Sequence, residues 1–131
     1  GEIPAGRWEL TGIAWHVDTV ASPIGTIDVN ASVLLARGQL FTEPGRLIVD
    51  MVNRAEIAFT GGVRFDRDVP VSLAGSYTGS GPTRTLRQSC PGNGETRLFV
   101  TAEGDQLALG FDPVNFGGIN ITSRYTFRRV P

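Results

Sequence analysis

Between Trp8 and Val130 the chain repeats one pattern: a run of strand length in which apolar and polar residues alternate, ended by a turn containing glycine or proline. Val69, Val71, Leu73, Gly75 and Tyr77 alternate with Pro70, Ser72, Ala74 and Ser76. After Gly79-Ser80-Gly81-Pro82, the residues Arg84, Leu86, Gln88 and Cys90 resume the alternation. A period of two sends successive side chains to opposite faces of a sheet, so such runs assemble as paired strands. The 17 glycines and 8 prolines are scattered without a period, which suits many turns and argues against collagen and helix bundles. An all-β protein is expected.

The first long strand spans residues 8–18. Unbroken alternation puts Trp8, Leu10, Gly12, Ala14 and His16 on one face, with Glu9, Thr11, Ile13, Trp15 and Val17 on the other. Ala21-Ser22-Pro23-Ile24-Gly25 reads as a loop before strand-like residues 27–36. The turn Glu43-Pro44-Gly45 leads into residues 46–60, which fit two periods. Leu47, Ile48, Met51, Val52, Ala55, Ala58 and Phe59 have helical spacing, whereas Leu47, Val49 and Met51 have strand spacing. Strand is favoured for 46–53, with a short helix or turn near 54–60. The charged residues 64–68 read as a solvated loop. Pro70 lacks an N–H and belongs at an edge or strand start. Residues 97–101 and 106–111 flank Ala102-Glu103-Gly104-Asp105 as a hairpin, residues 112–118 read as a loop, and 121–130 form the last strand. Roughly eight strands at hairpin spacing mean a sandwich or a closed up-and-down barrel.

At 131 residues the chain suits one domain over residues 1–131. The 12 basic residues are all arginine, spread out and balanced by 13 acids, so no basic stripe tracks a phosphate backbone and no nucleic-acid partner is expected. The absence of lysine excludes lysine Schiff-base and P-loop chemistry. Cys90 and His16 are each alone, which rules out an internal disulfide and a Cys/His zinc site; neither metal nor cofactor is expected. No apolar run approaches the roughly 18 residues of a membrane span. The first residue is Gly1, so both a cytoplasmic location and secretion or periplasmic export after leader removal stay open.

Five motifs in order resemble the bacterial lipocalin-like domain family, whose members are calycin-type barrels. Gly6-Arg7-Trp8 resembles its GxW opening, and Leu73-Ala74-Gly75-Ser76-Tyr77 its G-x-Y strand. Arg97-Leu98-Phe99-Val100 and Gly104-Asp105-Gln106-Leu107-Ala108-Leu109 resemble its hairpin. Arg124-Tyr125-Thr126-Phe127-Arg128-Arg129-Val130 is similar to its basic last strand. The resemblance implies an eight-stranded antiparallel up-and-down β-barrel with little helix, and strand near residues 45–51. The polar stretch 80–93 departs from the family. The resemblance also implies structural roles for Gly6, Trp8 and Arg129, the guanidinium covering the indole at the closed end.

On that geometry His16 lies about 26 Å along the strand from Trp8, at roughly 3.3 Å per residue, and reaches the mouth. Inward there, it would serve as a general base or ligand hydrogen bond; a β-bulge would turn it outward. Met51, Tyr77, Gln88, Phe111 and Tyr125 fall on sides a barrel directs inward and are candidate ligand contacts. Gly12, Ala14 and Gly75 on such a face would leave space. Asp66 and Asp68 read as solvated, the serines lack a G-x-S-x-G elbow, and the sequons at Asn30 and Asn120 carry no weight by themselves. The expected function is binding of a small hydrophobic or amphipathic molecule in the lumen. The alternatives are a cofactor-free cyclase or isomerase of secondary metabolism, of pericyclase type, and a protein-binding inhibitor. Oligomeric state is left open.

Overall fold

The computed structural model describes residues 3–17, 21–22, 25–79, 81–90, 94–116 and 119–131. Its strands are β1 (Gly6–Val17), β2 (Ala21–Ser22), β3 (Gly25–Thr26), β4 (Val33–Glu43), β5 (Arg46–Ala58) and β6 (Arg64–Thr78). They continue as β7 (Thr83–Cys90), β8 (Gly94–Glu103), β9 (Gln106–Phe111), β10 (Val114–Phe116) and β11 (Ile119–Arg129). One 3₁₀ turn, Val29–Ala31, precedes β4; the Asp28 carboxylate caps it by accepting from the Asn30 and Ala31 amides at 3.1 and 3.3 Å. Among the described residues, no helix is long and apolar enough to cross a membrane.

Strands β1, β4, β5, β6, β7, β8, β9 and β11 follow one another as antiparallel neighbours, with β10 added beside β11. β1 also pairs with β11, so the sheet returns on itself as a ring. This closure excludes a sandwich of two separate sheets. Alternation then divides each strand into an inner and an outer face: along β5, Leu47, Val49, Met51, Asn53, Ala55 and Ile57 are buried, whereas Ile48 on the outer side is 48% exposed.

One end of the ring is filled. Trp8, Leu40, Val49, Leu86, Leu98 and Phe127 are each at most 1% exposed and belong to one cluster. Burying large apolar side chains of this kind stabilises by about 1.5–3 kcal/mol each. The indole of Trp8 donates to Thr42 Oγ1 at 3.0 Å, and Thr42 donates to the Pro4 carbonyl at 2.6 Å. Trp8 pairs with Arg129 in the sheet, and that guanidinium lies 5.8 Å from the indole centroid while donating to the Ala5 carbonyl at 2.6 Å.

The other end splays. Pairing of β1 with β4 runs only from Gly6↔Thr42 to Glu9↔Gln39, and β6 meets β7 only from Ala74 onward. Two glycines mark the departures. A Cβ on Gly38 would lie 2.2 Å from the Asp50 carbonyl oxygen, and one on Gly75 would lie 2.3 Å from the Arg87 oxygen, so both positions require glycine for backbone approach. Beyond them β4, β5 and β6 stand together as a three-stranded flap, its hydrogen bonds continuing to Val33↔Glu56 and Ala58↔Arg64.

Several sequence expectations change. Residues 54–58 are not helix, because β5 runs unbroken to Ala58, and the turn begins only at Thr60; the helical match had mixed inward Met51 and Ala55 with outward Ile48 and Val52. Residues 64–68 lie in β6, where Arg54 meets Asp68 at 3.5 Å and Arg64 meets Asp66 at 3.6 Å in exposed pairs. Residues 27–36 are interrupted by the 3₁₀ turn, and the loop expected at 112–118 contains β10. Pro70 sits where β6 has β5 on one side and, among the described residues, no partner strand on the other, the edge position its missing N–H demands.

Candidate functional site

The first strand breaks its own alternation. Leu10 pairs with Phe127 and Gly12 with Thr126, so Thr11 is an extra residue, and its hydroxyl donates to the Thr126 carbonyl at 3.1 Å. Trp8 and Leu10 face inward before this bulge; Ile13, Trp15 and Val17 face inward after it. His16 is therefore exposed on the outer wall, and the inward orientation expected for it is corrected by the bulge. Ala14 is exposed for the same reason, so neither residue shapes the interior.

Tyr77 is buried at the closed end, where its hydroxyl donates to the Glu43 carbonyl at 3.5 Å. Its ring lies 5.5 Å from the guanidinium of Arg84, a residue only 5% exposed that donates to the Gly79 and Gly81 carbonyls at 3.1 and 3.0 Å. Tyr77 and His16 thus belong to opposite ends of the ring, and the expectation that one ligand contacts both does not hold. Gln88 is half-buried opposite Gly75, while Met51 is 1% exposed within the filled cluster.

The splayed end contains a cavity of about 120 Å³ between the flap and β11. Six apolar side chains form its wall: Leu34 on β4, Ala55 and Ile57 on β5, Val69 and Val71 on β6, and Ile121 on β11. Asn53, Ser123 and Tyr125 contribute its polar part. Each lies on the inward register of its strand, Asn53 two residues beyond Met51 and Ser123 two before Tyr125. Trp15 packs against the apolar cluster at this end, which includes Val17, Ile27, Ala55, Ile57 and Phe59.

Tyr125 alone of the sequence-derived candidates lines this cavity. It is 5% exposed, and its hydroxyl donates to Asn53 Oδ1 at 3.0 Å. Phe111 stands behind it edge-on, with ring centroids 6.2 Å apart and planes at 70°, and so fixes the phenol's orientation. Burial pushes the Tyr125 hydroxyl above its usual pKa of 10.0, an effect opposed by hydrogen bonding to Ser123. The phenol therefore stays a neutral donor through the physiological range.

Asn53 and Ser123 were not anticipated from sequence. The available signal was a single amide in the otherwise apolar alternation Leu47, Val49, Met51, Asn53, Ala55, Ile57. Asn53 is 6% exposed, and the one side-chain hydrogen bond it makes among the described residues is the one its oxygen accepts. No fully buried side-chain nitrogen or oxygen among the described residues lacks a partner, so the amide nitrogen of Asn53, a residue that lines the cavity, keeps some accessible surface. Among the described residues, no Arg, Asp, Glu or His lines the cavity.

Wider grooves run along the outer wall, one of about 410 Å³ beside Glu9, Arg37 and Asp50 and one of about 320 Å³ beside Leu35, Arg54 and Asp68. Both are open to solvent and bordered by outward charged side chains. Among the described residues, no group of three or more His, Cys, Asp or Glu side chains is placed to hold a metal ion. A scan of protein-family models gives no match to this chain, and searches of curated proteins and of solved structures give none either.

Proposed function

We propose that the ring is a lipocalin-like barrel and that its splayed end binds a small apolar molecule. The observation that carries this reading is the cavity between flap and β11, with six apolar walls and three converging polar tips. Pairing of the first strand with the last, and Arg129 over Trp8 at the filled end, support the barrel assignment. A chamber of about 120 Å³ matches a ligand portion the size of one six-membered ring. The remainder of a longer molecule would extend through the mouth.

The reading as a cyclase or isomerase requires a whole flexible substrate to be folded inside, which calls for pockets of roughly 300–1,000 Å³. The present cavity is smaller, and among the described residues Tyr125, held neutral by burial, is the only titratable side chain lining it. Carrier or sequestering function therefore ranks ahead.

Ethylbenzene is a suitable probe. At tenfold its dissociation constant it should stabilise the fold by about 1.4 kcal/mol through mass action. Val71→Trp, which fills the cavity from β6, should remove that stabilisation. A melting temperature that does not respond to ethylbenzene in the unaltered chain would refute the reading.

A further inference from the structure

We infer that the cavity selects ligands carrying an uncharged hydrogen-bond acceptor, such as a ketone, ester or amide oxygen, at the end that enters first. This rests on the cavity being a ligand site and specifies the chemistry it takes. The Asn53 oxygen is occupied by the Tyr125 hydroxyl at 3.0 Å, which orients the amide so that its N–H groups are the unsatisfied side. That nitrogen belongs to a residue only 6% exposed, yet is not sealed off, and the residue lines the cavity. Ser123 lines the same cavity, but its hydroxyl is engaged with Tyr125, which leaves the Asn53 amide as the donor.

A ligand that fills the apolar walls without offering an acceptor strips water from this amide and returns nothing. A carboxylate offers an acceptor but brings a charge into a site that, among the described residues, no cation lines, and burying an unpaired charge costs far more than one hydrogen bond returns. A neutral acceptor satisfies both conditions. The outward Arg54 cannot supply the missing charge, because it is engaged with Asp68 on the other face of the flap.

Three ring-sized probes separate the possibilities: ethylbenzene, acetophenone and benzoate, each titrated into the full chain at neutral pH. The quantity that matters is the ratio of acetophenone to ethylbenzene affinity, which cancels the apolar contribution. Asn53→Leu should lower that ratio by about fivefold or more, the equivalent of one neutral hydrogen bond, while ethylbenzene still binds. Tyr125→Phe keeps the amide but frees its orientation, and should lower the ratio by a smaller factor. Benzoate should not bind measurably to the unaltered chain. A ratio unchanged in both variants while both neutral probes bind would overturn the inference and leave the cavity reading standing, as would benzoate binding as tightly as acetophenone. Failure of all three probes to bind would overturn the cavity reading and the inference with it.

Discussion

The Tyr125 hydroxyl donates to Asn53 Oδ1 at 3.0 Å, tying β11 to β5 across 72 residues of chain at the boundary between the filled and hollow halves of the ring. Below this bond Met51 and Phe127 continue the packed cluster; above it Ile57 and Ile121 line the cavity. The bond holds the flap to the far wall at the level where β1–β4 and β6–β7 pairing have both ended.

Because burial raises the Tyr125 pKa, the unfolded chain releases this proton at lower pH than the folded one. The stabilisation is fully present below the unfolded value of 10.0 and is lost as pH climbs through the higher folded value. The chain contains 2 tyrosines, so Tyr77→Phe leaves Tyr125 as the single phenol. Phenolate absorbance in that background should rise later than in a denatured control. Coincident titration curves would contradict the buried placement.

Arg129→Ala removes the cover from the Trp8 indole and the bond to the Ala5 carbonyl. The expected loss is about 1–2 kcal/mol, from cation–π attraction plus burial of the arginine stem. Urea denaturation of the variant reads it directly; an unshifted midpoint would argue against this contact.

Gly75→Ala places a methyl 2.3 Å from the Arg87 carbonyl oxygen, so β6 and β7 must move apart. Overpacking of this kind typically costs about 1–3 kcal/mol, with backbone displaced rather than a flexible side chain. By contrast Gly45→Ala meets nothing within 4 Å, and its cost comes only from the positive φ of 73° at the β4–β5 turn. Gly75→Ala should be the more destabilising of the two in thermal melts.

His16→Ala should leave ethylbenzene affinity unchanged, since the imidazole faces the outer wall. Ile57→Trp should abolish that binding by filling the hollow end from β5. An affinity loss on His16→Ala in a folded variant would mean that the bulge at Thr11 is misplaced.

The all-β class and the order of the long strands were legible because alternation and turn residues act locally. Pairing of the first and last strands followed from resemblance at the two ends, since nothing local to Trp8 specifies Arg129. The site was mostly hidden. A single extra residue at Thr11 reverses which side chains of β1 face inward, and no periodicity announces it. Small size also misled: Gly75 makes room for the backbone of β7, and Ala14 does not face the interior at all. Asn53 was visible as an amide among apolar residues, but its meaning depends on Tyr125, 72 positions away.

Methyl-resolved NMR with bound ethylbenzene tests the central claim most directly. The account predicts intermolecular NOEs to Ile57, Val71 and Ile121 at the hollow end, and none to Leu47 or Leu107 in the packed half. NOEs confined to outer-wall groups such as Leu35 and Ile48, or a bound ligand in contact with Leu47 and Leu107, would contradict it.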